Sequence, residues 1–422
     1  MNNPSEMNES SRGRDEQTNL PGERESQSAA TPLSEIGAVF LKLGLTSFGG
    51  PVAHLSYLRS EFVIRRRWLD DDAFGDLVAL CQFLPGPASS QLVFALGMQR
   101  AGIVGALTAS LCFMLPSALL MIGFAYGVSS FGDLRSAGWL HGLKLTAVAV
   151  VAQAVWGMGK KLCPDRARIF MGLAAAAFLL AVPGKFMQIG VIAAGALMGW
   201  IIYRSEVQTG AKPTAPVSVK AHILAGAALL VFVALLIVTP MLAASTNCKY
   251  VALFDSFYRS GALVFGGGHV VLPLLRSETV PRGWLSNDQF LAGYGAAQAV
   301  PGPLFTFAGY LGTTIIGGAR GWVGGVLCLF AIFLPAWLLI SGALPFWNGL
   351  RREMWMQAAL RGANAAVVGV LLAALITPVS SEAIKNASDV VAVLIALALL
   401  EVWKAPPWAI VLAMAAAGQW VL

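Results

Sequence analysis

At 422 residues, 57% of them hydrophobic and only 12% charged, the chain carries more apolar surface than a soluble protein of its size can hide, so the bilayer is its solvent. The net charge of +7 comes from Lys and Arg in short loops between apolar runs, where they set membrane orientation, so it does not read as nucleic-acid binding. Five cysteines without CxxC spacing and four scattered histidines imply no disulfide framework and no metal centre, and no cofactor is expected.

In chain order, residues 1–33 are polar and lack an apolar core, which predicts a disordered cytoplasmic tail and no signal peptide. A first repeat over 34–203 opens with two apolar stretches, 36–58 and 73–98, each interrupted near its middle. The breakers are Phe48-Gly49-Gly50-Pro51 and Pro85-Gly86-Pro87. The tail, Arg65–Arg67 and Arg100 all favour the cytoplasm, which favours two re-entrant hairpins with meeting tips over two kinked crossings. The runs 103–127 and 140–159 read as spanning helices, and the shorter runs 169–182 and 186–203 as spans or a hairpin. A polar linker and one unmatched apolar run near 223–242 fill residues 204–249, and a second repeat occupies 250–422.

The repeat is read from register. Lys42 lies over Arg259, Arg59 and Glu61 over Arg276 and Glu278, and Trp68 and Asp72 over Trp284 and Asp288. Gln82 with Pro85-Gly86-Pro87 lies over Gln298 with Pro301-Gly302-Pro303, Pro116 over Pro335, Gly142 over Gly362 and Trp200 over Trp420. Shared apolar composition gives scattered Leu and Ala matches, not an ordered series of Gly, Pro, Trp and charge. One extra crossing between like repeats inverts the second. The basic clusters change sides accordingly, from Arg65–Arg67 and Lys160-Lys161 in the first half to Arg351-Arg352 in the second. The expected fold is an all-α multi-pass membrane protein of two inverted-topology repeats with broken or re-entrant helices.

Broken helices point unpaired N–H groups and the positive end of a helix dipole at the gap. Candidate substrate contacts are therefore Gly49, Gly50, Pro85, Gly86, Pro87, Ser89 and Ser90 in the first repeat. Gly266, Gly267, Pro301, Gly302, Pro303 and Thr306 are their counterparts in the second. Lys42 and Arg259, each six residues before a Phe-Gly-Gly, would give the cavity a positive sign, unless they snorkel or pair with a local carboxylate. His54 and His269 suit an anion donor or proton relay, or a satisfied core position. Gln82 and Gln298 suit a substrate hydrogen bond or a brace for the broken backbone. No Ser-His-Asp order, phosphate loop, HExxH or catalytic carboxylate pair is present, so no catalytic residue is expected.

With these words in place, the chain resembles the chromate ion transporter family in its long two-domain form. The resemblance rests on Phe48-Gly49-Gly50-Pro51 with His54, on Gln82 with Pro85-Gly86-Pro87, and on their partners around Gly266 and Pro301. It covers residues 33–422. It implies a secondary transporter that exports chromate across the bacterial inner membrane, with its N-terminus cytoplasmic, and confers chromate resistance. Sulfate is the implied analogue or competitor, and the lipid bilayer the other partner; no nucleic acid is expected, and a homodimer stays open. The alternatives are a sulfate or other oxyanion carrier, a passive anion channel, and a membrane-embedded enzyme.

Overall fold

The structure, a computed structural model, describes residues 32–48, 50–130, 138–182, 187–204, 219–264, 270–347 and 354–420. All the elements among them are helices, and the chain is an all-α membrane protein. The sequence-predicted tail up to residue 31, most of the polar linker and the Arg351-Arg352 pair lie outside the described residues.

Helix α1 (Leu33–Thr46) stops at Ser47, and α2 (Gly50–Arg59) runs on through a π turn, Ser60–Arg65. With 14 and 10 residues they reach about 21 and 15 Å, short of a hydrocarbon core of about 30 Å. They fold back on one another, for Arg66 at the end of the second helix pairs with Glu35 at the start of the first. Between these ends the Phe40 and Phe62 rings pack 5.0 Å apart.

Helix α3 (Asp71–Phe83) is capped by Asp70, whose carboxylate accepts from Ala73 N at 2.8 Å. Pro85-Gly86-Pro87 ends it, since neither proline can donate to a helix ladder. Helix α4 (Ala88–Ser130) is not one rod. Ala101 (φ −144°) and Gly102 (φ 58°) are non-helical. A Cβ on Gly97 would lie 2.7 Å from the Ala109 Cβ, whereas twelve residues of straight helix span about 18 Å. The chain therefore reverses at Gly102. The first limb of α4 folds back along α3, with Arg100 donating to the Trp68 carbonyl and stacking 4.9 Å over its ring. The second limb is the spanning one.

Then follow α5 (Gly138–Leu162), the pair α6 (Arg166–Ala181) and α7 (Met187–Tyr203), and α8 (Val219–Ser245). The second half runs α9 (Lys249–Ala262), α10 (Val271–Thr279), α11 (Asn287–Ala297), α12 (Phe307–Ile316), α13 (Gly321–Ala343), α14 (Met354–Ala374), α15 (Ala387–Glu401) and α16 (Pro407–Trp420). Element for element this repeats the order of the first half. The reversal at Gly102 has its counterpart in Gly317 and Gly318, both at positive φ. Here too short helices fold back in pairs: Glu278 of α10 pairs with Arg259 of α9, and Tyr310 of α12 donates to the Gln289 carbonyl of α11 at 2.8 Å. Apolar stretches long enough to cross lie in α4, α5, α8, α13 and α14. The lone helix α8 packs on α9 and α13, where Tyr258 donates to its Phe232 carbonyl at 3.0 Å.

The halves exchange their last pairs. Helix α5 packs on α15 and α16, while its counterpart α14 packs on α6 and α7. Glycine makes both contacts close, for a Cβ on Gly142 would overlap the Met414 carbonyl and one on Gly362 the Gly195 carbonyl. Contacts repeated with the halves swapped are the pattern of an isologous, two-fold pairing.

Candidate substrate site at the crossed helix breaks

In hydrocarbon, the backbone groups released by a broken helix must find partners inside the protein. Here each half satisfies the other. Gly86 of the first Pro-Gly-Pro donates its N–H to the Val264 carbonyl, just past α9, at 2.6 Å. Gly302 of the second donates to the Ser47 carbonyl, just past α1, at 2.8 Å. Ser47 and Val264 are register equivalents, so the two bonds are one contact made twice. Both glycines sit at positive φ, 123° and 99°, a backbone that side chains with a Cβ adopt only under strain. Their surroundings match as well: a Cβ on Gly86 would meet Ala336 at 3.4 Å, and one on Gly302 the equivalent Ser117 at 2.9 Å from its Oγ.

His54, only 1% exposed, braces this crossing. Its Nε2 lies 3.1 Å from the Ser47 carbonyl, which can only accept, so Nε2 carries the proton and Nδ1 is the bare acceptor. Nδ1 faces Ser89 Oγ at 3.5 Å, and the ring stands edge-on to Phe113. Beside it, the first turn of α4 buries Ser89, Ser90 and Gln91, where a helix start leaves N–H groups without intrahelical acceptors. Gln91 Nε2 donates to the Pro85 carbonyl at 2.8 Å, while its Oε1 has no protein partner. Ser90 Oγ and Gln298 Nε2 are likewise buried without a hydrogen bond of good geometry, Gln298 lying beside the Tyr294 hydroxyl. Thr306 is buried with its hydroxyl donated to the Pro303 carbonyl at 2.7 Å. Pro87, Pro301 and Pro303 are buried around the same tips, Pro85 half so.

The sequence-matched cations do not share an environment. Arg259 is 16% exposed in its side chain and is held by Asp255 at 2.7 Å and Glu278 at 3.3 Å. That neutralised cluster includes Arg282 on Glu278 at 2.8 Å and Thr239 on Asp255 at 2.9 Å. The Lys42 side chain is exposed. Gln82 is exposed and Gln298 half-buried, again unlike each other. Gly50 lies in the first turn of α2; Gly49, Gly266, Gly267 and His269 lie outside the described residues. Sequence reasoning missed Ser47 and Val264, because a carbonyl acceptor leaves no residue-type signal. Asp255, four residues before Arg259, was a visible helical pairing signal.

The register-matched loop arginines also find partners. Arg59 pairs with Asp71 at 2.7 Å, and Arg276 donates to the equivalent Asn287 at 2.7 Å. Both fasten the turn before a Pro-Gly-Pro helix.

The family model for the chromate transporter matches residues 34–200 and again 251–419. A chromate transport protein of Pseudomonas aeruginosa is 29% identical over 90% of both chains. One of Cupriavidus metallidurans is 26% identical over 88% of both. An uncharacterized transporter of Bacillus subtilis is 30% identical over 28% of this chain and 61% of its own, so it is less than half as long. No solved structure matches. With two family matches that together span most of its helices, the chain belongs to the chromate transporter family and is a transporter rather than an enzyme.

Proposed function

We propose that the chain exports chromate from the bacterial cytoplasm by alternating access and thereby confers chromate resistance, with the oxyanion bound at the crossed breaks. The carrying observation is that Ser90 Oγ and Gln298 Nε2, both donors, are buried there without a protein hydrogen bond of good geometry. Buried polar atoms are normally satisfied, so two such donors beside two crossed breaks mark a place for a polar ligand. Chromate is a tetrahedral dianion that takes hydroxyl, amide and helix-start N–H donors. Ser90 and Gln298 would supply them, with Ser89, Thr306 and the turns at Gly86 and Gly302 lining the place, His54 as brace and Lys42 drawing the anion inward. Arg259, balanced by two carboxylates, would act from a distance. His269, Gly49, Gly50, Gly266 and Gly267 would complete the tips.

The grouping of helix ends supports two inverted halves. Glu35, Glu61, Arg66, Trp68 and Arg100 gather at one end. The second limb of α4 leads away to Tyr126, whose hydroxyl accepts from Trp322 at the start of α13 at 2.9 Å. The exchanged pair α15 and α16 opens toward the start of α5, where Trp139 N donates to Gln419 at 3.2 Å. The cluster with Arg65–Arg67, Lys160 and Lys161 is taken as cytoplasmic in an inner membrane. Sulfate has the same shape and charge, and neutral donors suit it equally, which makes a sulfate carrier the second reading.

The test is chromate flux in inverted vesicles with sulfate competition and an imposed pH gradient or potential. Ser90→Ala and Gln298→Leu are each expected to raise KM for chromate about tenfold, the worth of one ligand hydrogen bond. Unchanged KM in both variants removes the site. Uphill movement that fails under every gradient leaves a passive channel, and stronger dependence on sulfate than on chromate favours the second reading.

A further inference from the structure

Helices α3 and α11 are register equivalents fastened alike at both ends, by Arg59 on Asp71 and Arg276 on Asn287 before them. After them come the exchanged Gly86 and Gly302 hydrogen bonds. Their middles differ. In α11, Leu291, Ala292 and Gly295 are buried, and Gly295 lies against Leu143 of α5 so closely that a Cβ would stand 2.5 Å from its carbonyl oxygen. Two turns before Gly295, Asp288 pairs with Lys144 of α5, whose side chain is only 7% exposed. Leu143, Ala296 and Val411 close into a packed cluster with Trp139, Ala299 and Ala415.

On α3 the matching positions Gly75, Asp76 and Ala79 are exposed, as is Asp72, the counterpart of Asp288. The register equivalent of α5 is α14, with Ala363 for Leu143 and Asn364 for Lys144. Where α14 would carry the matching cluster there is instead an apolar cavity, lined by Ala359 and Ala363, by Ile192, Ala193 and Ala196 of α7, and by Leu263. The packed seat in one half and the empty one in the other are built from equivalent positions. They differ in whether the helix is on its seat.

We propose that α11 and α3 are paired gates: α11 is shut on α5 by Gly295 against Leu143 and by the Lys144–Asp288 pair, α3 is swung off its equivalent seat on α14, and each transport cycle exchanges the two. This builds on the alternating-access reading above, and names the moving parts and their latch. The Pro-Gly-Pro turns are the pivots, since a positive-φ glycine between two prolines gives each helix a fixed end to swing about. Seating α3 would turn Leu80, now buried in the main core, and Phe83, now packed on Trp347, into the cavity as the counterparts of Ala296 and Ala299, and would bring Asp72 to Asn364. The second seat therefore lacks a charge pair, so the shut state of α11 is the one latched by charge.

The test uses the full chain in membranes, with its native cysteines replaced by alanine. Leu143→Cys with Ala296→Cys reports α11 on its seat, and Ala363→Cys with Leu80→Cys reports α3 on its own; a disulfide needs Cβ atoms within about 4.5 Å. Both pairs are expected to crosslink under mild oxidation, each lowering chromate flux by about tenfold or more, with recovery on reduction. In the same backgrounds, Asp288→Asn is expected to slow the first crosslink and speed the second. Crosslinking is read by gel shift whatever the substrate, so a failed flux assay that leaves both crosslinks intact counts against the substrate reading and not the gates. The proposal is overturned if the 80–363 pair never forms while flux proceeds. It is equally overturned if the 143–296 bridge leaves flux intact, or if Asp288→Asn moves neither crosslink.

Discussion

Gly302→Ala tests the crossing most directly. The substitution places a Cβ on a residue at φ 99°, a conformation that costs a non-glycine residue about 1–3 kcal/mol. That Cβ would stand 2.9 Å from Ser117 Oγ, and the Gly302 N–H must keep its 2.8 Å bond to Ser47 across the interface of the halves. If the strain falls on the crossed state, its population drops roughly five- to hundredfold, and chromate flux with it. Ser117→Ala in the same chain removes the nearest clash and is expected to return part of the loss. Gly283→Ala is the control, with similar backbone strain at φ 67° but nothing within 4 Å of its Cβ. Flux is measured in vesicles and normalised to folded protein. Wild-type flux in Gly302→Ala, or equal losses in Gly302→Ala and Gly283→Ala, would refute the claim that this bond organises the site.

Three further outcomes are expected. Arg259→Ala strands the buried Asp255 carboxylate, while Glu278 keeps Arg282, and should cost about 3–5 kcal/mol of stability, partly recovered by adding Asp255→Ala; Lys42→Ala, on an exposed side chain, should stay within about 0.5 kcal/mol, both read by thermal melting. Gly142→Ala and Gly362→Ala should each destabilise by about 1–3 kcal/mol or more, because a methyl there meets a backbone carbonyl that cannot rotate away; detergent melting curves of the two should shift alike. Asp165 caps α6, and although burial pushes its carboxyl up, hydrogen bonds from Arg168 N and the Tyr203 hydroxyl and the Arg168 charge outweigh that and hold it at about 2. Its folded value is depressed, so the stabilisation is full above the ordinary carboxylate range and is lost as pH falls through about 2. Asp165→Ala should therefore cost about 1 kcal/mol at neutral pH and progressively less as pH falls toward that value.

The sequence alone determined where the chain breaks and that it breaks twice in the same way. Glycine and proline act on the backbone locally, so Pro85-Gly86-Pro87 and Pro301-Gly302-Pro303 end helices wherever they stand, and their common register is legible without coordinates. Length and hydropathy likewise settled the membrane class. Tertiary structure alone decided what each break bonds to. Gly86 reaches Val264 and Gly302 reaches Ser47, partners in the opposite halves whose part in the bond is a carbonyl, which every residue carries. It also separated residues that register had made equal. Lys42 and Arg259 align, yet one is exposed and the other sits between two carboxylates; α3 and α11 align, yet only one lies on its seat. Register follows from a shared origin and constrains the backbone. Burial and pairing depend on which neighbours a given state brings near, and two equivalent halves need not hold the same state at once.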